Sequence, residues 1–240
     1  MKYYGSDGAG SDHFDQTVEE SLRRDLPIIT TPHAKEHLTG KGAESFTQVF
    51  DLDFFQEMIV NIGSQTRESR RPQIKVTGTP GKHVGDGVIG TANDYLQAVP
   101  PTNGWLVELG YNSGSGEPDA EAFGCGYRIY ISGDTLMVDD LKSIPEHCKG
   151  KNVDLMLIHL GGTTIPSPSL PLLMVTMDAK QGIELVKLIK PDLTIPIHYD
   201  DYDVFLSPLE DFKTEMTKAG LDDKVIYLDR GDTFKFRVQT

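Results

Sequence analysis

Two patterns of apolar and polar positions divide the chain. Between residues 46 and 77 they mix in short runs: Phe46-Thr-Gln-Val-Phe50, Phe55 to Val60, and Gln73-Ile-Lys-Val-Thr77. Such mixing predicts antiparallel strands with one buried face. Trp105 to Leu109 and Tyr127 to Ile131 predict two more strands, with the polar stretch from Tyr111 to Gly124 as an exposed loop between them. From Val153 onward the pattern changes. Val153-Asp-Leu-Met-Leu-Ile-His-Leu160 and Leu193 to Ile197 are nearly continuous apolar runs, as expected of strands buried on both faces. Asp178 to Ile189 repeats with helical period: Ile183, Val186 and Leu188 fall on or near one face, and Pro191 lies just beyond. Leu209 to Lys218 predicts a further helix with Gly220 as its C-cap. Val225 to Leu228 and Phe234 to Val238 are expected to close the chain as strands.

The remaining segments are read from their punctuation. Residues 1–11 are small and polar, with glycines at 5, 8 and 10, and predict a flexible tail ahead of a single domain over 12–240. Thr17 to Leu26 predicts a short amphipathic helix with Thr17 and Glu20 as a capping box and Pro27 as its stop. Ile28 to Thr30 reads as a strand, and Thr31-Pro32 opens a helix through about Leu38. Gly78 to Asn93 is a Gly-rich loop carrying His83, Val138 to Lys149 is helical in part, and 161–176 is a Pro/Ser/Thr loop with exposed-looking leucines. Strands come first, then strand and helix alternate. That order implies a sheet-rich core with helices on its outer faces.

Charge narrows the partners. The formal net charge is −13 and the pI about 4.9, so the surface repels phosphate backbones, and nucleic acid is not expected as a partner. The basic pairs Arg23-Arg24 and Arg70-Arg71 are too short to form a patch. No apolar run approaches the roughly 20 residues of a membrane span. Met1 to Gly8 has no apolar segment of the secretory kind, so a cytoplasmic location is expected. Cys125 and Cys148 lack C-x-x-C spacing and read as two free thiols, with a disulfide between them as the alternative.

Five side chains stand where strand-like runs meet loops: Asp12, His13, His83, Asp134 and His198. Loop ends on a rigid sheet are where metal sites collect their ligands. All five offer nitrogen or oxygen donors, which suit zinc, iron or manganese. Tyr199, Asp200 and Tyr202 follow His198 closely and are candidates to line a substrate pocket.

Four stretches carry a resemblance: Asp12-His-Phe-Asp15, Gly78-Thr-Pro-Gly-Lys-His83, Tyr130-Ile-Ser-Gly-Asp134-Thr, and Lys190-Pro-Asp-Leu-Thr-Ile-Pro-Ile-His198-Tyr. Together they resemble the metallo-β-lactamase-fold hydrolases, in particular the branch of ascorbate-6-phosphate lactonase and the N-acyl-phosphatidylethanolamine phospholipase D-like enzymes. The resemblance implies a four-layer α/β/β/α sandwich with one or two metal ions at one edge. It implies that Asp12 and His13 are the end of a His-x-His-x-Asp-His motif, His83 the third histidine of the first site, Asp134 a bridging ligand, and His198 the last histidine of the second. A metal-bound hydroxide is then expected to attack an ester, lactone, amide or phosphodiester, in a small-molecule or lipid-like substrate, with Asp12 both ligating and orienting the nucleophile.

The chain also departs from that pattern. Gly8 and Gly10 occupy the positions of the motif's two leading histidines and carry no donor atom. Only eleven residues precede Asp12, where the family has several strands, so the first sheet is expected to be incomplete. An open edge favours pairing with another chain, which makes a homo-oligomer an expected partner. Two readings follow: a metal-dependent hydrolase whose second site is the more complete, or a non-catalytic, truncated relative that binds one metal or none.

Other signals read as structural. Gly85-x-Gly87-x-x-Gly90 lies in a loop rather than between a strand and a helix, which argues against a nucleotide site. His33 and His37 have the spacing of H-E-x-x-H, but Ala34 stands where the Glu belongs, so they read as surface histidines. His147 beside Cys148 reads as a helix-end pair, and Pro168-x-x-Pro171 as part of a loop. His159 ends a buried strand and reads as a core histidine within reach of the site.

Overall fold

The structure is a computed structural model that describes residues 16–63, 71–85, 99, 101–112, 123–167, 169–200 and 205–239. Its first unit is a helix α1 (Gln16–Ser21), a strand β1 (Ile28–Thr30), a helix α2 (Pro32–Thr39) and a strand β2 (Val49–Asp51). Thr17 lies inside α1, so it does not cap the helix as expected from the sequence. Thr31 does cap α2: its hydroxyl accepts a hydrogen bond from the Ala34 amide at 3.2 Å. The strand–helix–strand connection makes β1 and β2 parallel, where the sequence suggested an antiparallel partner for β2. Leu38, Phe46 and Val49 form a small core under α2.

Strands β3 (Glu57–Asn61), β4 (Arg71–Gly81), β5 (Thr102–Asn112) and β6 (Phe123–Ile131) pair antiparallel in succession. After a short helix α3 (Ser143–Cys148), strand β7 (Leu155–His159) joins β6 in parallel. A hairpin of β8 (Thr164–Ser167) and β9 (Leu170–Met174) follows, where the sequence suggested a plain loop. Helix α4 (Ala179–Ile189) then crosses to β10 (Leu193–Ile197), which is parallel to β7, and α5 (Leu209–Ala219) comes after it. The six-stranded sheet has the order β10-β7-β6-β5-β4-β3. These pairings make β4, β6, β7 and β10 run the same way, so their C-terminal ends meet at one edge of the sheet.

The main core lies between this sheet and the helices. Tyr130, Met156, Ile158 and Leu160 pack with Ile183, Leu185 and Val186 of α4 and with Phe212 and Met216 of α5. The helical period read for α4 is therefore its buried face. Asp178 caps it through the Gln181 amide, and Gly220 ends α5 at a φ of +66°, as the sequence indicated. β4 extends four residues further than its apolar run because Gly78 to Gly81 still pair with Trp105 to Thr102. The closing strands do not form. Val225 makes a single bridge to Thr194, and the rest is held by isolated main-chain bonds and by Phe236 stacked on Tyr127 at 4.3 Å. Ring stacking anchors that segment without a ladder. Cys125 and Cys148 are both free. No helix among the described residues is long and apolar enough to cross a membrane.

One face of the sheet carries a row of charges. Lys75, Glu108 and Arg128 stand opposite one another on β4, β5 and β6. Glu108, with only 3% of its side chain exposed, lies 2.6 Å from both Lys75 Nζ and Arg128 Nη2.

Candidate metal centre

The strand ends at the common edge supply the site. His83 follows β4, Asp134 follows β6, His159 ends β7 and His198 follows β10. Each loop is tied to its neighbour. The Lys82 amide donates to Thr135 Oγ1 at 2.9 Å, and the Leu136 amide donates to Lys82 O at 2.8 Å, which joins the His83 and Asp134 loops. The His159 amide donates to Ser132 Oγ at 2.9 Å, which joins the Asp134 loop to β7. Ile197 lies directly opposite His159 in the β10–β7 ladder, so His198 steps off the sheet beside it.

Two backbone positions make these turns feasible. Gly133 has a φ of +63°, and a Cβ there would sit 2.4 Å from Asn103 O, so the turn into Asp134 accepts no side chain. Gly161 has a φ of +102°, and a Cβ there would sit 2.7 Å from His198 O and 2.6 Å from the Phe205 ring. His198 itself has a φ of +62°, a conformation that is uncommon outside glycine and that concentrates at functional sites. The Phe205 ring meets its imidazole edge-on, with centroids 5.1 Å apart.

Both site histidines are oriented through Nδ1. His83 Nδ1 lies 3.0 Å from Val175 O, and His198 Nδ1 lies 3.2 Å from Leu160 O. A carbonyl oxygen only accepts, so Nδ1 carries the proton and the neutral ring keeps its lone pair on Nε2. This is the outer support found around metal-ligating histidines. His198 Nε2 then faces Asp134 Oδ2 at 3.6 Å, with both side chains nearly buried (11% and 5% exposed). That separation is too long for a hydrogen bond. It is close to the roughly 3.4 Å between two ligands on a tetrahedral ion with bonds of about 2.0–2.2 Å. Two electron-pair donors facing each other at that distance fit a cation between them.

The sequence-derived set is thus brought together in part. Asp134 and His198 meet, and His83 is carried on a loop stitched to that of Asp134. Asp12, His13 and Tyr202 lie outside the described residues. Among the described residues no cluster of three or more His, Cys, Asp or Glu is placed to hold an ion. Tyr199 is half-buried, and Asp200 is exposed with its carboxylate 3.4 Å from Arg230 Nη2. His159 is buried as expected, but its ring lies 5.7 Å from that of His198, and its Nδ1 is 3.4 Å from Ser132 Oγ. Its nearness to the site depends on β7–β10 register, a long-range pairing with no local signal.

Fold and site together define a metallo-β-lactamase-like α/β protein whose strand-end donors suit a metal ion. No profile of a known protein family matches the chain. It is 25% identical over 225 residues to a UPF0173 metal-dependent hydrolase of Archaeoglobus fulgidus, a match that covers 94% of this chain and 78% of that protein. Among solved structures, isothiocyanate hydrolase from Delia radicum gut bacteria superposes with a TM-score of 0.65 at 16% identity, covering 95% of this chain and 74% of the other. Igni18, a metallo hydrolase from the hyperthermophilic archaeon Ignicoccus hospitalis KIN4/I, superposes with a TM-score of 0.60 at 20% identity, covering 96% and 78%. The chain is thus similar in sequence to a protein described as a metal-dependent hydrolase and shares the fold of the two solved structures.

Proposed function

We propose that the chain is a metal-dependent hydrolase with its centre at the C-terminal edge of β4, β6, β7 and β10. The observation that carries this reading is the pair of facing donors, His198 Nε2 and Asp134 Oδ2, at 3.6 Å. His83 is the third donor, held by Val175 O. Asp12 and His13 complete the set by their place in the motif, with Asp12 orienting the attacking water. The nitrogen and oxygen donors favour zinc, with iron or manganese as alternatives. A divalent ion bound there supplies an acidified water and a positive charge for a developing oxyanion.

The chain's own groups do the rest. The carbonyls of Val175 and Leu160 hold the two imidazoles in the tautomer that presents Nε2. The Phe205 ring shields one side of His198 from water. Tyr199, Asp200 and Tyr202 are assigned to the substrate side of the site. The substrates are esters, lactones, amides or phosphodiesters of small or lipid-like molecules. The motifs resemble the lactonase and phospholipase D-like branch, which places lactones and phosphodiesters first in a screen.

Hydrolysis of such a panel is expected to vanish after treatment with a chelator and to return with Zn²⁺, Fe²⁺ or Mn²⁺. Activity that survives exhaustive chelation excludes this reading. Gly8 and Gly10, at the leading histidine positions, favour a second reading in which the chain binds one ion or none and is not catalytic. That reading gains if the folded protein binds an ion but hydrolyses none of the panel.

A further inference from the structure

Helix α2 carries His33-Ala-Lys-Glu36-His37, which has the order H-x-x-E-H rather than H-E-x-x-H. The inverted order also places two imidazoles four residues apart on one helical face, as in a known class of zinc sites. We propose that His33 and His37 form a second transition-metal site, distinct from the strand-end centre, in which both imidazoles bind one Zn²⁺, Ni²⁺ or Cu²⁺ ion.

Ring geometry supports the pairing. The centroids of His33 and His37 lie 4.7 Å apart at an interplanar angle of 61°. Two imidazoles that share an ion through nitrogens about 2.0–2.1 Å away have centroids roughly 4.5–5.2 Å apart. The rings are therefore close to the chelating spacing without the ion. Imidazole suits zinc, copper and nickel, and a two-imidazole set takes any of them.

The helix is also fixed in advance. Thr31 caps its first turn, Lys35 Nζ lies 2.5 Å from Asp51 on β2, and Leu38 is buried with Phe46 and Val49. An ion on this face costs little further ordering of the backbone. Both histidines are half-buried, so water reaches the site and completes the ion's shell. No third His, Cys, Asp or Glu joins the pair in a cluster among the described residues, which makes this an open chelate rather than a closed structural site.

The test uses the full chain with the strand-end centre disabled by Asp134→Asn and His198→Ala. Calorimetric titration with Ni²⁺ is expected to show one equivalent bound with a micromolar Kd. Adding His33→Ala and His37→Ala is expected to remove that equivalent, and His37→Ala alone to weaken it about tenfold or more. Ni²⁺ uptake that is unchanged by the double substitution overturns the proposal. In the unsubstituted chain, Cu²⁺ added beyond the capacity of the strand-end centre is expected to broaden the amide resonances of residues 31–40. Sharp resonances over 31–40 at that loading overturn the proposal, whether or not the variants fold.

Discussion

Replacing Glu108 by Ala is expected to destabilise the protein by about 3–5 kcal/mol, the cost of leaving buried charges without their counter-ion. At about 2–4 °C per kcal/mol for a domain of this size, Tm falls by roughly 6–20 °C. Lys75 keeps Glu57, 3.4 Å away, and the face of the Phe123 ring, and the Arg128 guanidinium keeps the Asn152 carbonyl. The converse also holds. Replacing Lys75, Glu108 and Arg128 together with apolar residues of similar volume is expected to recover most of the loss, because desolvation of all three charges is then avoided. Burial alone pushes the Glu108 carboxyl up, but the hydrogen bonds and charges of Lys75 and Arg128 outweigh it and hold the group below the ordinary glutamate range. A carboxyl depressed in the folded state contributes stability above its unfolded pKa of about 4.3 and loses it as the pH falls through the folded value. The stability gap between the parent and Glu108→Gln is therefore expected to be constant near neutrality and to narrow only below about pH 4. Denaturant unfolding across that range checks both points, and a gap that widens in acid contradicts the assignment.

Asp134→Asn is expected to cost hydrolytic activity more than about 100-fold in kcat/KM, because loss of mere outer support for a metal ligand already costs about 10–100-fold. The substitution keeps the side chain's size and removes the charge that faces His198 Nε2 at 3.6 Å. Asp134 is nearly buried, on a turn fixed by Gly133 and by the Lys82–Thr135 bond, so the fold is expected to persist. Far-UV circular dichroism and Tm within a few degrees of the parent, with activity lost, separate a catalytic role from a structural one. Activity within about threefold of the parent, in a variant that still folds, removes Asp134 from the centre.

The parts of this architecture that were legible in the sequence are those with a local cause. Strands β4 to β7 and β10 announce themselves by alternating or continuous apolar runs, and α4 and α5 by period and caps. The strand-end positions of His83, Asp134 and His198 were legible too, because each follows such a run within a few residues. The misread parts depend on contacts between distant segments. The parallel pairing of β1 with β2 follows from the α2 crossover, not from either strand's own pattern. Phe234 to Val238 alternates like a strand, yet Phe236 is satisfied by stacking on Tyr127, so no ladder is needed. His159 looks like any buried histidine until the β7–β10 register sets it opposite Ile197 and beside His198.

Metal content per chain tests the central claim most directly. The protein is purified with His33→Ala and His37→Ala in place, so that only the strand-end centre is counted, then dialysed and measured by elemental analysis beside the same protein carrying Asp134→Asn and His198→Ala. About one zinc, iron or manganese per chain, reduced to near zero by the second pair of substitutions, is the expected result. A folded, monodisperse parent that holds no metal, or metal that survives the loss of both donors, contradicts the account.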